Sequence, residues 1–468
     1  MIRHHAGRPA LAFAVAAAAA CSDPNAPPAV DPKAPVVTLG ALPAGDTLPQ
    51  RAFEVSISLS GQGSANNIEV ITDPGTPAER VTSLVGGYAY FSGIPVSGGT
   101  SFTVWLPHPL PDGPHTIDIR VTGDSGHANT VRFSRVFSTP AAAYTATVLP
   151  GIGGDTAYAY GLNAKGDVAG YVAGAAGKLR PVVWRNAQPT VLPDTSAKGA
   201  RAVRINDVGD VLGDVPGARY DGTTSFAQVW RADGRGVAVG PVAVDTPYVP
   251  KGTRCCNVAV DLSDARVAMA YGPYGVVLLD VASGATQLVY ASTNLYPVGI
   301  NDRGQAVGTQ ILLGSSDGTG WWTSGPALDI REASYARCSH PHYSARALYA
   351  VGNGGEVVAS NTGCVAALSI PGEAPLTVDQ ALAPGTLTTV RMNRQGTILA
   401  GLDATDSTLY VWRRSERRTV RVRLNDGAWK IDALEGVNAT GAIVAHGVDA
   451  ASRRSAALLL TPATSETR

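Results

Sequence analysis

A short pattern of apolar and polar residues recurs through the last two-thirds of the chain and predicts its main elements. Each copy has an apolar residue, then Asn, two variable residues, Gly, one variable residue and an apolar run. The clear copies place their asparagines at Asn163, Asn206, Asn301, Asn393 and Asn438. Successive gaps are 43, 95, 92 and 45 residues, so one degenerate copy is expected in each long gap, where Ser263 and Gly352 replace Asn. The sequence therefore predicts seven units between about 144 and 461, a period typical of propellers or solenoids.

Each unit predicts four short strands. The first strand runs into a turn that Asn caps and in which Gly supplies a positive φ, and a second strand follows. The third strand often carries a tryptophan, which we expect to fill the space between sheets. These tryptophans are Trp184, Trp230, Trp322 and Trp412. A fourth strand such as 190–193 or 327–330 completes the unit, and four strands in about 40–50 residues is the proportion of a β-propeller blade.

The two ends of the repeat region favour a closed ring. Residues 144–150, YTATVLP, look like a fourth strand without the three that should precede it. The last unit lacks a convincing fourth strand after 455–460. If 144–150 pairs with that unit, no sheet edge stays open, whereas a solenoid would not need the arrangement. The prediction for 141–468 is a seven-bladed β-propeller closed by an N-terminal strand.

Residues 36–140 lack the Asn-Gly pattern and alternate apolar and polar positions over longer stretches. In 53–60 and 116–121, every second residue is apolar, and about seven such strands fit into this region. Alternation with turns at this spacing is typical of a β-sandwich. Asp124 and Asn129 could suggest a calcium site, but the Asp-x-Asp clusters of cadherins are missing, so we interpret them as part of a hairpin turn.

Two resemblances accompany these patterns. The units resemble the HAF-type repeats of exported bacterial proteins, with INDRGQAVG at 300–308 close to the motif and Ala400 and Ala445 replacing the final Gly in two copies. That resemblance implies a propeller-like fold and brings no catalytic residues. Residues 113–137 resemble the last hairpin of bacterial Ig-like or cadherin-like domains. The fold class expected for the whole chain is all-β, with an Ig-like β-sandwich at 36–140 before the propeller.

The first residues resemble a bacterial lipoprotein signal. Arg3 and Arg8 precede an apolar run, too short to span a bilayer, that ends before Cys21. The resemblance implies a signal peptide at 1–20, an acylated Cys21 and, since Ser22 follows, sorting to the outer membrane; Ala18 departs from the usual Leu. Ordinary signal cleavage, with a free Cys21, is the alternative. Residues 21–35, rich in Pro, Asp and Ala, are predicted to be a tether.

Four cysteines remain after Cys21, and disulfides are the expected state in an exported protein. Among three possible connectivities we favour Cys338–Cys364 with a vicinal Cys255–Cys256 bond. A zinc site is the alternative, because His340 and His342 stand beside Cys338, although paired Cys-x-x-Cys motifs are missing. The turn residues Asp167, Asp207 and Asp302 likewise lack the calcium-loop pattern. We expect neither a metal nor a cofactor.

The cysteines lie near the two longest insertions, 240–258 and 331–347, each between a fourth strand and the next first strand. Such connections emerge on one face of a propeller, where ligand sites often gather. The candidate ligand contacts are Arg254, Arg337, His340, His342, Tyr343 and Arg346. The alternative is a surface loop stapled for stability.

The charge balance and the missing motifs narrow the range of possible functions. The chain has 37 basic and 37 acidic residues, so it lacks the excess of positive charge that would indicate binding to nucleic acid or to an anionic membrane. Metalloprotease and phosphate-loop motifs are absent from the sequence. We therefore predict a monomeric, non-catalytic lipoprotein of the cell envelope, membrane-bound through Cys21, whose propeller face binds a protein or glycan ligand. The alternatives are an exported propeller enzyme, such as a glycan hydrolase or lyase, and a structural or assembly protein.

Overall fold

The computed structural model describes residues 31–463 apart from internal gaps. The gaps are 41, 43–46, 49–53, 62–63, 84–93, 96–99, 106–109, 111, 175–176, 195–198, 217–224, 239–257, 273–274, 291–294, 312–318, 326–345, 362–366, 374–375, 378–386, 404–406, 417 and 426. Within the described ranges the chain forms strands and no helix, so the predicted all-β class is confirmed.

The first part of the chain forms two sheets. Its strands are β1 (Val36–Leu39), β2 (Thr47–Leu48), β3 (Glu54–Ser60), β4 (Ser64–Thr72), β5 (Arg80–Ser83), β6 (Ile94–Pro95), β7 (Thr100–Trp105), β8 (Gly113–Gly123) and β9 (Ala128–Phe137). One sheet has the order β1-β3-β7, and the other has the order β2-β9-β8-β4-β5, with β6 paired to β4. Strand residues that alternate in sequence, such as Ile57 and Leu59 of β3 and Ile117 and Ile119 of β8, share one buried core. The two sheets thus pack face to face, as period-2 patterning favours.

Residues 31–35, the end of the predicted tether, lie against this core. The buried Asn129 side chain accepts a hydrogen bond from the Asp31 backbone N at 2.6 Å through Oδ1. Its Nδ2 donates to the carbonyl oxygens of Asp31 at 2.9 Å and Pro35 at 3.1 Å. Asn129 therefore holds the entering chain, and the rest of the tether lies outside the described residues.

The second part of the chain forms the remaining strands. They are β10 (Ala141–Val148), β11 (Thr156–Leu162), β12 (Val168–Ala173), β13 (Leu179–Arg185), β14 (Gln188–Val191), β15 (Arg201–Ile205), β16 (Val211–Pro216), β17 (Ser225–Trp230), β18 (Gly236–Ala238), β19 (Val258–Leu262), β20 (Val267–Gly272), β21 (Gly275–Asp280), β22 (Thr286–Tyr290), β23 (Leu295–Ile300), β24 (Ala306–Ile311), β25 (Thr319–Ser324), β26 (Arg346–Val351), β27 (Val357–Asn361), β28 (Ala367–Ser369), β29 (Leu376–Thr377), β30 (Leu387–Met392), β31 (Ile398–Asp403), β32 (Leu409–Arg413), β33 (Arg418–Leu424), β34 (Trp429–Val437), β35 (Ile443–Asp449) and β36 (Ser455–Pro462).

These strands form successive antiparallel sheets. Four sheets have four strands each, in the orders β11-β12-β13-β14, β15-β16-β17-β18, β19-β20-β21-β22 and β26-β27-β28-β29. A sheet β23-β24-β25 has three described strands, and the fourth strand predicted at 327–330 lies outside the described residues. The last sheet has eight strands in the order β30-β31-β32-β33-β10-β36-β35-β34. There β10 pairs antiparallel with β36, from Tyr144↔Pro462 to Val148↔Leu458, and parallel with β33.

The first strands of the units contact one another in cyclic order. Each of β11, β15, β19, β23, β26 and β30 contacts the first strand of the following unit, and β34 contacts β11. The contacts thus return to their starting point. This arrangement of sheets around a common centre is propeller-like.

The Asn turns have the predicted geometry. In the second unit, Asn206 donates its backbone N–H to the carbonyl of Asp210 at 3.1 Å, and its Oδ1 accepts from the amides of Gly209 and Asp210 at 2.9 and 2.8 Å. Gly209 has a φ of 99°, which favours glycine. In the third unit Arg266 takes that position with a φ of 66°, and its guanidinium is held by Asp210 at 2.7 Å. A charged contact from the neighbouring sheet therefore accompanies the unfavourable backbone conformation.

Three of the repeat tryptophans lie between sheets, as expected, and the side chain of Trp322 lies outside the described part of the chain. Trp184, Trp230 and Trp412 are almost completely buried, and Trp184 packs against residues of the last unit as well as its own. Three of the four share one register: Trp184 pairs with Val168, Trp230 with Val211 and Trp412 with Leu399. Trp322 instead pairs with Gly308, two residues further along the strand, so the fixed repeat position holds for three units and not for the fourth.

The repeat glycine on the second strand makes room for tryptophan. A Cβ at Gly170 would lie 2.8 Å from Cζ3 of Trp184, and one at Gly213 would lie 2.6 Å from Cζ3 of Trp230. In three units another residue stands at the register position of the tryptophan, and alanine stands at the position of the glycine. The pairs are Leu279 with Ala270, Ser369 with Ala359 and Leu460 with Ala445.

The sixth unit corrects the sequence alignment. Its turn has one residue more, because the backbone N–H of Asn393 donates to the carbonyl of Ile398, five positions on, whereas Asn206 donates four positions on. Gly401, and not Ala400, therefore stands two residues beyond the strand position that pairs with Trp412. The glycine that seemed lost from this unit is displaced by one position.

Replacing Gly213 with alanine should lower the free energy of unfolding by about 1–3 kcal/mol, because the new methyl group would meet the Trp230 ring and the Arg201 carbonyl. Gly436→Ala is the matched control, since its Cβ would meet its nearest neighbours at 3.7 Å, an ordinary contact. Urea unfolding followed by tryptophan fluorescence compares the two. Equal stability of the variants would contradict the account of this glycine.

Candidate functional site

The Asn turns form a ring at one end of the first strands, and hydrogen bonds link most neighbouring turns. Four of the asparagines donate Nδ2 to a backbone carbonyl of the following turn: Asn163 to Asn206 at 3.2 Å, Asn206 to Ser263 at 3.1 Å, Asn301 to Gly352 at 2.9 Å and Asn438 to Asn163 at 3.0 Å. The last bond joins the seventh turn to the first. Buried amide groups thus find their partners in the neighbouring unit, as burial requires.

In four of the turns, the residue after the turn asparagine or its replacement adds a second set of bonds. Asp207 accepts from the backbone N of Ala164, Asp264 from that of Asp207, and Asp302 from that of Asp264, each at 2.7 Å. Asn353 accepts in the same way from the backbone N of Asp302 at 3.0 Å. These carboxylates therefore serve as acceptors between turns.

Arg394 stands at the same turn position in the sixth unit, and its side chain crosses the centre of the ring. Its guanidinium lies 3.0 Å from Oδ1 of Asp261 and donates to the carbonyl oxygens of Ile300 at 3.0 Å and Leu262 at 2.5 Å. Oδ2 of Asp264 lies 3.9 Å from its Nε. Residues of the third, fourth and sixth units thus meet at this point and close this end of the central space.

Charges within this cluster compensate one another. Burial alone would raise the pKa of Asp261, but Arg394, Arg204 and backbone donors outweigh it and hold that pKa below its usual value. Burial lowers the pKa of Arg394, whereas Asp261, Asp264 and Asp302 raise it more, so the net shift is upward. The cluster therefore keeps its opposite charges at neutral pH.

Further along the first strands, carboxylates again have arginine partners. Nη2 of Arg391 lies 3.8 Å from Glu435, and Nη2 of Arg201 lies 3.3 Å from Asp214. Burial raises the pKa of Asp214, while the backbone N of Ala259, at 2.7 Å, and Arg201 oppose that shift. The Arg391–Glu435 pair and the bond from Ala259 to Asp214 connect neighbouring units, whereas Arg201 and Asp214 belong to one unit.

An aromatic cluster lies where the last unit meets the first. The rings of Tyr158 and Tyr171 stack with centroids 4.9 Å apart, and Tyr160 stacks on Tyr171 at 5.9 Å. The His446 ring lies 6.0 Å from Tyr158 and 6.1 Å from Tyr160. Burial, together with the hydrogen bond to Tyr171, raises the pKa of the Tyr160 hydroxyl far above its usual value. The rings are partly exposed, so they offer aromatic surface to solvent.

The end opposite the Asn turns differs in character and is called the open end. First strands begin there, and Tyr296, the second residue of β23, is 56% exposed. The connections through 239–257 and 326–345 return to the sheets there, at the first residues of β19 and β26, Val258 and Arg346. The open end therefore carries aromatic side chains and the ends of both long connections.

Most of the residues singled out by the sequence lie outside the described part of the chain. These are Cys21, Arg254, Cys255, Cys256, Arg337, Cys338, His340, His342, Tyr343 and Cys364. Arg346 is placed as the first residue of β26, paired with Asn361. The disulfides Cys338–Cys364 and Cys255–Cys256 and the ligand contacts stay predictions.

The sequence analysis missed Arg394 and the tyrosine cluster. A signal for Arg394 existed, because the residue after the turn asparagine is Asp in three units and Arg in the sixth. The tyrosines Tyr158 and Tyr160 come from one strand, but Tyr171 and His446 reach them through strand pairing and the contact between the first and last units.

The described residues show neither a metal site nor a membrane-spanning helix. They contain no group of three or more His, Cys, Asp or Glu side chains placed to hold a metal ion. In the same part of the chain, no helix has the length and apolar character needed to cross a membrane.

Comparisons with known proteins give weak similarity. No protein-family profile and no curated protein matches the chain. Among solved structures it is similar to the Mitotic Checkpoint Complex, with 11% identity over 68% of this chain and 94% of that chain and a TM-score of 0.38. The Cps50 (Swd1) beta-propeller domain of Myceliophteria thermophila has 10% identity over 54% of this chain and 84% of that chain, with a TM-score of 0.27.

A third similarity is to the extracellular domain of the protein BT4673 from B. thetaiotaomicron. It has 9% identity and a TM-score of 0.29, and it covers 86% of this chain and 58% of that chain. None of these similarities assigns the chain to a family. The HAF-type and Ig-like resemblances stay predictions, and the propeller-like description rests on the strand contacts.

Proposed function

We propose that this chain is an exported, non-catalytic lipoprotein whose seven-bladed propeller binds a protein or glycan ligand at its open end. Seven Asn-type turns and the cyclic contacts of the first strands support the blade number. The runner-up functions are an exported glycan hydrolase or lyase and a purely structural protein.

A repeated contact supports β10 as the outer strand of the last blade. The indole of Trp184 donates to the carbonyl of Pro150 at 2.9 Å, and that of Trp230 donates to the carbonyl of Pro193 at 2.7 Å. Both prolines end a TVLP sequence, at 147–150 and at 190–193, and β14, the outer strand of its sheet, leads into the second copy. Because β10 leads into the first copy and pairs with β36, it fits the outer position of the seventh blade.

The difference between the two ends carries the proposal for the ligand face. Arg394 and the turn ring fill one end, and their polar groups bond to each other. At the open end, by contrast, Tyr296 is more than half exposed, and the two strands that follow the long connections, β19 and β26, begin there. Exposed aromatic rings favour binding of sugars or of partner proteins. The candidate contacts predicted from sequence, such as Arg254 and His340, belong to those same connections.

The state of the carboxylates favours binding over catalysis. Hydrolysis of a glycan generally needs one carboxylic acid and one free carboxylate on either side of the bond. Asp214, Asp261 and Glu435 each have an arginine within 4 Å. Such pairing fits a scaffold that holds its charges in fixed positions.

Replacing Tyr296 with alanine should weaken ligand binding about fivefold, because an exposed aromatic contact contributes about 0.5–1.5 kcal/mol beyond its area. An array of bacterial and plant polysaccharides, probed with the full chain, would identify the ligand and also reveal cleavage products. Val148→Ala is the control, since Val148 is also exposed, at 46%, but lies on the outer strand β10. Cleavage of a glycan would reject the proposal that the protein is non-catalytic. Equal binding by both variants would reject the proposal that the ligand binds at the open end.

Cys21→Ser should abolish lipid labelling and release the protein from the membrane fraction of a Gram-negative host. The labelling experiment uses radioactive palmitate followed by fractionation. Ser22→Asp is the matched variant, because it keeps the acylated cysteine and is expected to redirect the protein to the inner membrane. Unchanged labelling of the Cys21→Ser variant would contradict the anchor.

A further inference from the structure

The first strands carry a repeated irregularity above the turn ring. In six of the seven units, the pairing of the first strand with the second skips one residue, three positions before the turn asparagine or its replacement. Such a β-bulge leaves the skipped residue outside the strand ladder and redirects its side chain. The skipped residues are Tyr160, Val203, Val260, Val298, Tyr349 and Glu435.

These bulges place apolar groups around the central space. The side chains that the structure describes in this set are partly exposed. Because the first strands lie around the common centre and contact one another in cyclic order, that exposure is toward the central space. Three of the residues are valines from successive units, namely Val203, Val260 and Val298. One side of the central space is therefore apolar at this level.

Two arginines stand at the next level, two positions before the turn asparagines. They are Arg204 and Arg391, and their side chains are 36% and 38% exposed. The structure describes this level in all seven units, and the other five residues are Gly161, Asp261, Gly299, Ala350 and Gly436. Asp261 is thus the one acidic residue at the level of the two arginines.

Contacts across the ring bring the two arginines to the same region. Nε of Arg204 lies 3.7 Å from Oδ1 of Asp261, and the same oxygen accepts a hydrogen bond from Nη2 of Arg394 at 3.0 Å. Arg391 stands three residues before Arg394. Burial and the charge of Arg204 lower the pKa of Arg391, and Glu435 compensates only in part. The second and sixth units are not neighbours in the cyclic order, so Arg204 and Arg391 interact across the central space.

Neither arginine has a described carboxylate at hydrogen-bonding distance. Nη1 of Arg204 and Nη1 of Arg391 each donate to the carbonyl of the preceding residue, at 2.9 and 3.2 Å, and Nε of Arg391 donates to the carbonyl of Glu435 at 3.0 Å. The carboxylates of Asp261 and Glu435 lie 3.7 and 3.8 Å away. Nη2 of both arginines therefore keeps N–H groups that no described residue accepts.

We propose that the central space binds the carboxylate of a small organic acid between Arg204 and Arg391. Guanidinium groups donate paired hydrogen bonds to carboxylate oxygens, and the apolar body of the acid lies against the bulged valines. Because Asp261 and Glu435 already offset part of the positive charge, a singly charged carboxylate fits better than a doubly charged phosphate. The site includes neither Tyr296 nor the long connections, so it does not depend on the ligand proposed at the open end.

Titration calorimetry of the full chain tests the ligand class. The probes are straight-chain acids from acetate to hexanoate and the matching primary amides, which keep the shape and lack the charge. We expect the acids to bind, about two- to fourfold more tightly for each added methylene, and each amide to bind about tenfold or more weakly than its acid. Equal binding of acid and amide, binding of phosphate in place of the acids, or no binding of any acid at millimolar concentration would overturn the proposal.

Two arginine variants test the charge. Arg391→Gln should weaken hexanoate binding about tenfold or more, because a charge-assisted contact is lost. Arg303→Gln is the matched control, since Arg303 is exposed on the fourth turn and makes no ion pair with a described residue, and it should change binding less than about twofold. Equal losses in the two variants would show a general charge effect and reject the site.

A third variant keeps both arginines and tests the apolar contact. Val203→Thr replaces a methyl group with a hydroxyl at nearly the same shape, and thermal unfolding without ligand verifies that each variant is folded. We expect this variant to bind hexanoate more weakly and acetate as tightly as the native protein does, because acetate has no chain to lie against the valine. An unchanged affinity for hexanoate would contradict the placement of the acid in the central space.

Discussion

Replacing Asn206 with alanine is expected to lower the free energy of unfolding by about 1–3 kcal/mol, since the Asp210 amide loses its acceptor and a buried polar group left unpaired costs about that much. Asn206 is 1% exposed, so water cannot replace its partners. The change removes the donor to the Ser263 carbonyl and the acceptor for the amides of Gly209 and Asp210. Urea unfolding of the full chain measures the loss.

Asn206→Ser is the matched control, because the third unit has serine at this position. There Oγ of Ser263 accepts from the backbone N of Val267 at 3.0 Å, so the hydroxyl keeps one bond of the turn. We expect the serine variant to recover about half of the loss. If serine and alanine destabilise the protein equally, the side-chain acceptor does not hold the turn.

Replacing Arg394 with methionine is expected to destabilise the protein by about 3 kcal/mol at neutral pH, because it leaves the carboxylate of Asp261 without its closest cation. The guanidinium also donates to the carbonyls of Ile300 and Leu262, which would lose that partner. The double variant Arg394→Met/Asp261→Asn removes the unpaired charge and should recover part of the loss. No recovery would indicate that the carbonyl contacts alone account for the effect.

The stability of the Arg394→Met variant should also depend on pH differently from that of the native protein. In the native protein the pKa of Asp261 lies below its usual value of 3.8, so its contribution is present above that value and is lost as the pH falls through the lowered pKa. Without Arg394, burial of Asp261 raises its pKa, and protonation then relieves the unpaired charge. The stability difference between variant and native protein should therefore shrink from about pH 7 to about pH 4. A constant difference would contradict this role of Asp261.

Much of the fold could be predicted because its signals are local. The Asn-x-x-Gly pattern specifies a turn through bonds within five residues, as Asn206 and Gly209 demonstrate. Apolar alternation specifies which face of a strand is buried, and the structure follows it at Ile57 and Leu59 and at Ile117, Ile119 and Val121. Near-constant spacing of the copies specifies repeated sheets, and the strands appear in the predicted order in the described units.

Other features could not be predicted because they join residues far apart in the chain. One extra turn residue in the sixth unit moves the glycine role from Ala400 to Gly401, and only strand register reveals this. The shift of Trp322 relative to Trp184 is likewise a matter of pairing.

The sequence by itself determined the all-β class, the repeat period, the turns and the alternation of apolar and polar residues along the strands, since each depends on neighbours within one unit. The tertiary structure alone decided which units meet. Arg394 reaches Asp261 over 133 positions of sequence, and His446 joins Tyr158 because the last unit lies against the first. Charge pairing and aromatic contact across the centre depend on how the sheets are arranged in space, and no local pattern encodes that arrangement.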